Sequence, residues 1–248
     1  MWFYKMLFSI GRKKRIIVYL MVLFFNIQIS ILASEQIELI NSLYIKNIYT
    51  PFSRLIYFAL YYVPLFLISI SDEDILNHSL ILTRLKSIDM WWKEKVKLLL
   101  MDTMLYVIFL ELPIIIMAVI HIGVTQIVGV KNIAFMVGDF IIKYIIFFII
   151  GISHVISSFI SKKQYIGFLV GYFIGGFDYI LTLFHLDGYA MTTTGMLVEF
   201  IVSFDLPTGN FLFLSSVYSG YLVFLSLFLL FISKEILRKM DLQRGDLK

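Results

Sequence analysis

The chain has 248 residues, of which 60% are hydrophobic and 15% charged, with a mean hydropathy of +0.91 and a formal net charge of +4. Soluble domains carry about a quarter charged residues, so this composition excludes an ordinary soluble protein. The absence of cysteine removes disulfide frameworks and thiolate metal sites, and the small net charge gives no case for nucleic-acid binding.

A bilayer span needs about 20 mostly apolar residues. Six runs qualify, at about 16–33, 52–70, 98–122, 135–160, 165–184 and 211–232. They are apolar on all sides, whereas a β-barrel alternates polar and apolar residues in short segments. The expectation is an all-α integral membrane protein of six transmembrane helices. It forms a single transmembrane domain over 1–248, with no soluble domain.

The first ten residues, MWFYKMLFSI, mix aromatics with Lys5 and precede Arg12, Lys13, Lys14 and Arg15. They suit an N-terminal helix lying in the interface, or simply a basic flank that orients the first span. No small-residue cleavage pattern follows that span, so it is expected to be retained. Within it, Asn26 and Gln28 are placed to hydrogen-bond across helices or to line a path. Pro64 in the second span and Pro113 in the third interrupt the helical ladder or are merely tolerated there.

The stretch between spans two and three, ILTRLKSIDMWWKEKVKLLLMD (81–102), is longer and more charged than a connection requires. On a helical wheel Ile81, Leu85, Ile88, Trp92, Val96 and Leu99 share one stripe, while Lys86, Asp89, Lys93 and Glu94 lie off it. Ser71 followed by Asp72, Glu73 and Asp74 reads as a helix start, with a cap and acids near the positive end of the dipole. A two-faced helix is expected over 71–97. The Trp pair suits the interfacial belt, and the segment reads either as an orienting basic loop or as a docking element for a partner.

In the third and fourth spans Glu111 and Lys143 fall at comparable depth at about 1.5 Å per residue, and Asp139 and Lys143 are spaced i,i+4 on one face. Asp178 on the fifth span reaches a similar level. Charges at this depth are costly, about 2.5–3.5 kcal/mol each on insertion scales. The four are therefore expected to form an intramembrane polar cluster, either an ion-pair network that fixes packing or the lining of a path. Gly167, Gly171 and Gly175 repeat every four residues on the fifth span, a spacing that lets helix backbones approach closely. Between spans five and six, the run GMLVEFIVSF is too short to cross and is expected to form a short helical element on the outer side.

Seventeen of the 21 Lys and Arg residues fall before span one, between spans two and three, between four and five, or after six. Only Lys46, Arg54 and Lys131 fall on the other side, and Lys143 lies within a span. By the positive-inside rule both termini are expected in the cytoplasm of a cell that carries the chain in its plasma membrane. The scattered histidines form no H-E-x-x-H pair, and there is no G-x-S-x-G elbow and no phosphate-binding G-x-x-x-x-G-K-[ST] loop. No metal site and no catalytic residues are expected.

The order Arg84, Lys86, Trp91, Trp92, Lys95 and then a long apolar run resembles the segment between spans two and three of ABC-2-type transporter permeases. So does the layout of an N-terminal interfacial helix, six spans, both ends inside and a longer outer segment between spans five and six. The resemblance implies a permease subunit of an ABC exporter, with 71–97 as coupling helix and Arg84, Lys86, Trp91, Trp92 and Lys95 transmitting the push of a separate ATPase. It further implies two ATPase subunits holding ATP and Mg, a second permease subunit, and a peptide or other amphipathic substrate, as in peptide-antibiotic export or immunity. Two other classes remain: a membrane immunity protein that captures a peptide without any ATPase, and an intramembrane enzyme.

Overall fold

A computed structural model describes residues 12–40, 44–71, 88–186 and 192–245. Among these, every regular element is helical: α1 (Arg12–Ile40), α2 (Ile45–Phe52), α3 (Leu55–Ile70), α4 (Ile88–Ile122), α5 (Val130–Ser161), α6 (Gln164–Leu183), α7 (Thr194–Ser203) and α8 (Thr208–Gly245). A single helical turn, Val124–Ile127, lies between α4 and α5. Five helices, α1, α4, α5, α6 and α8, are long and apolar enough to cross a membrane, and the bent pair α2–α3 makes up to six. The chain is thus a multi-pass membrane protein whose described regular structure is all helical.

The second expected span, 52–70, is the one that departs from a simple rod. Pro51 removes a backbone donor near the end of α2, and Ser53 and extended Arg54 turn the chain by 40° into α3. α3 then widens into a π segment over Phe58–Tyr62, just before Pro64. The third span is longer than the apolar run suggests. α4 runs without interruption from Ile88 to Ile122, so residues 88–97 continue the span instead of forming a separate coupling helix. Residues 72–87, with Arg84 and Lys86, and residues 1–11 of the expected interfacial helix lie outside the described residues. The expected short element between spans five and six is present as α7.

α5 is the most buried span and lies at the centre, packed on α4, α6 and α8, while α8 is the least buried. Two residues, Lys162 and Lys163, connect α5 to α6. Lys162 closes α5 in the left-handed region at φ 56°, and the Ser161 hydroxyl donates to Ser157 O at 2.6 Å. α6 ends in a Schellman cap: Leu186 N–H donates to Leu181 O and His185 N–H to Thr182 O, with His185 at φ 57° where glycine is usual. Gly167, Gly171 and Gly175 all face inward. A methyl on Gly167 would meet Ser158 Oγ at 1.8 Å and His154 O at 2.5 Å, and one on Gly175 would meet Val63 at 2.7 Å. The glycine face thus presses α6 onto α5 and α3 within one subunit.

At the end of the bundle where α4 and α6 begin, Lys14 Nζ donates to Ser71 Oγ at 2.7 Å, Gln164 donates to Ser71 O, and Arg15 pairs with Asp102 at 3.1 Å. At the opposite end Lys46 pairs with Asp205, and Lys131 donates to Leu206 O at 2.8 Å. Phe135, Phe200, Phe204 and Phe211 stack there and fix α7 and the start of α8 on α5.

Candidate functional site

The centre of the bundle holds three ionisable groups that the chain brings together from two helices. Lys143 Nζ on α5 lies 2.5 Å from Glu111 Oε1 on α4 and 2.6 Å from Asp139 Oδ2 one turn away on its own helix. Lys143 and Asp139 are 0% exposed and Glu111 is 2% exposed. The i,i+4 spacing supplies one contact and the depth match of α4 supplies the other, as the sequence implies. Tyr49 of α2 covers the group, with its ring facing Lys143 Nζ at 5.3 Å and its hydroxyl beside the Glu111 carboxyl. With two acids around one base, the Lys143 ammonium is shared between the two carboxyl groups and ties α4 to α5.

Asp178 does not join this triad. Its carboxylate accepts hydrogen bonds from Thr192 N–H and Oγ1, Thr193 N–H, Thr194 Oγ1 and Gly195 N–H, at 2.7 to 3.3 Å. It therefore caps α7 from a neighbouring helix, satisfying backbone donors that the first turn cannot pair by itself. Depth counted along the sequence puts Asp178 level with Glu111, but the hydroxyl-rich segment before α7 offers five closer donors.

Beside the triad is a closed ring of hydrogen bonds among three helices. Tyr106 OH on α4 donates to Tyr62 O at 2.7 Å, on the π segment of α3. Tyr62 OH donates to Asn26 Oδ1 on α1 at 2.6 Å, and Asn26 Nδ2 donates to Leu110 O on α4 at 2.9 Å. Asn26 is thus a cross-helix connector, whereas Gln28 is exposed. The Asn26 bond falls one residue from Phe109, whose carbonyl loses its usual donor at Pro113. Tyr49, Tyr62 and Tyr106 were not singled out from the sequence. The available signal was a phenol within an apolar run away from the interfacial belt, since a buried hydroxyl needs a partner.

The coupling candidates in the described residues are internal. Trp91, Trp92 and Lys95 are 1%, 6% and 3% exposed. Trp91 packs on Phe159 of α5 at 4.6 Å and lies 6.2 Å from Trp92, so the Trp pair is packed inside the bundle. The wheel is right about its polar face: Asp89 and Lys93 are exposed while Trp92 and Leu99 are buried. The buried stripe is simply wider than drawn, because this part of α4 packs on protein along its length. The Arg15–Asp102 pair was also missed. Arg15 read as one of a basic flank, although an acid a few residues into the third apolar run was a signal that some basic group had to reach it.

Among the described residues, no group of three or more His, Cys, Asp or Glu side chains is arranged to hold a metal ion. Comparison with protein-family models, curated proteins and solved structures returns no match.

Proposed function

We propose that this chain is the membrane-embedded permease subunit of an ABC exporter, driven by separate ATPase subunits and moving a peptide or other amphipathic substrate. The observation that carries the reading is the continuity of α4. One uninterrupted helix holds the end of the basic 71–97 segment, the buried Trp91–Trp92 pair and Glu111 of the triad. A push delivered by a cytoplasmic partner on the segment ahead of Ile88 passes along this rod. The packing of Trp91 on Phe159 transfers part of it to α5, and the remainder reaches the Glu111–Lys143 contact between α4 and α5. In this reading the tryptophans and Lys95 transmit force inside the chain, and contact with the ATPase falls to Arg84, Lys86 and the exposed Asp89 and Lys93. Both termini and this segment face the cytoplasm, following the bias of basic residues.

The test is purification of the chain in mild detergent with its native partners, followed by an ATPase assay with candidate peptides. An ATPase that co-purifies and is stimulated by substrate is expected. Arg84→Glu with Lys86→Glu should abolish the stimulation while leaving the amount of permease unchanged. A chain that exports substrate with no ATPase bound, or a charge-reversed variant that stays fully coupled, would refute the reading.

A further inference from the structure

The break between α2 and α3 opens onto a cavity of about 440 Å³, bounded by α2, α3, α6 and α7. Its volume lies within the range of about 300–1,000 Å³ typical of small-molecule sites. The walls are mainly apolar, formed by Leu55, Ile56, Val198, Ile201 and Val202. Ile56 and Val202 are themselves exposed, so the cavity opens on the outer face of the bundle.

The polar groups in its wall divide sharply. Thr50 Oγ1 donates to Lys46 O and Thr182 Oγ1 to Asp178 O. Lys46 is paired with Asp205, and the Asp178 carboxylate is filled by the donors that precede and begin α7. Besides the half-buried Tyr179, two groups are left, adjacent in sequence at the break. Ser53 is 3% exposed, and its buried hydroxyl has no hydrogen-bond partner among the described residues. Arg54 is exposed and has no ion-pair partner among the described residues. A buried hydroxyl without a partner is costly, and a guanidinium is the side chain best matched to phosphate oxygens. Both line an apolar cleft at the level of Lys46 and Asp205, near one end of the bundle.

We propose that this cleft binds a phospholipid of the surrounding bilayer, with the phosphodiester on Arg54 and Ser53 Oγ and an acyl chain along the apolar wall. Ser53 donates to one phosphate oxygen, Arg54 neutralises the charge, and the acyl chain fills space that would otherwise stay unpacked. The site does not depend on the transport reading, because any multi-pass protein with this break presents it to lipid.

The probe is dioctanoylphosphatidylglycerol, titrated onto the purified full-length chain in detergent and counted by native mass spectrometry. Dioctanoylglycerol, which lacks the phosphate, serves as control. One tightly held phospholipid is expected, with little retention of the control. Arg54→Gln should weaken binding at least about tenfold, as expected for loss of one charge-assisted hydrogen bond, and Arg54→Lys, which keeps the charge but not the planar fork, should retain an intermediate affinity. Ser53→Ala should weaken binding severalfold without lowering the melting temperature, since it removes a hydroxyl left unpaired among the described residues. Val198→Trp should fill the cleft and displace the lipid. Equal binding by Arg54→Gln and wild type, equal retention of dioctanoylglycerol, or displacement of the probe by inorganic phosphate at comparable concentration would each overturn the proposal. The last of these would mark a site for a free anion.

Discussion

Replacing Lys143 with methionine is the most informative single change in this chain. The side chain keeps its approximate length but loses the ammonium that lies 2.5 Å from Glu111 and 2.6 Å from Asp139. Both carboxyl groups then remain buried with no counter-charge, at 2% and 0% exposure. Removing one partner from a buried ion pair costs about 3–5 kcal/mol, because the remaining charge stays desolvated. For a chain of this size, a conversion of about 2–4 °C per kcal/mol gives a fall in melting temperature of about 6–20 °C. Glu111→Gln should behave quite differently. It leaves the Lys143–Asp139 pair in place and removes the excess acid, so its cost is expected below about 1 kcal/mol. Neutralising all three groups with apolar side chains of similar volume should recover much of what Lys143→Met loses, since buried ionic groups can be replaced as a set at little cost. The assay is thermal unfolding of the detergent-purified variants, followed by helical circular dichroism. If Lys143→Met and Glu111→Gln shift the midpoint equally, the ammonium is not what holds the two carboxyl groups and the charge argument fails.

Two glycines of α6 should respond with opposite signs to the same substitution. Gly167→Ala drives a methyl into Ser158 Oγ and His154 O and should cost about 1–3 kcal/mol by overpacking. Gly176→Ala places its methyl 3.7 Å from Ala59 Cβ, so it should stabilise by up to about 1 kcal/mol through helix propensity; unfolding midpoints of the pair decide this. Asp178→Ala strips the cap from α7 and should cost about 2–3 kcal/mol. Hydrogen exchange should then report the amides of Thr193 and Gly195 as the first to lose protection. His185→Gly relieves a left-handed residue at the end of α6 and should gain about 1 kcal/mol, seen as a higher midpoint with unchanged helix content.

What could be read ahead of the structure is what depends on one dimension. Apolar runs mark the spans, counting residues from each end places Glu111 and Lys143 at comparable depth, and Asp139 stands one turn from Lys143. The i,i+4 spacing fixes the direction of two of them. Depth without azimuth is also why Asp178 was grouped with them: nothing in a residue count shows that the side chain turns toward Thr192–Thr194. The burial of the Trp pair was hidden for a related reason. An amphipathic wheel separates an apolar face from a polar one, but lipid and neighbouring helix look alike to it, and α4 uses that face to pack on Phe159. The α2–α3 break was signalled only by Pro51 and Pro64. How the chain accommodates them, through an extended Arg54 and a π turn closed by Tyr106, depends on α4 and is invisible in the local sequence.

The i,i+4 partnership of Asp139 and Lys143 bears on biogenesis as well as on the finished bundle. A helix that already carries acid and base in contact along one face enters the hydrocarbon with no net charge from that pair, before it has met any neighbour. Glu111 has no such companion on α4 and must wait for α5 to arrive. The basic partner of that acid thus comes only with the helix that follows it in the chain.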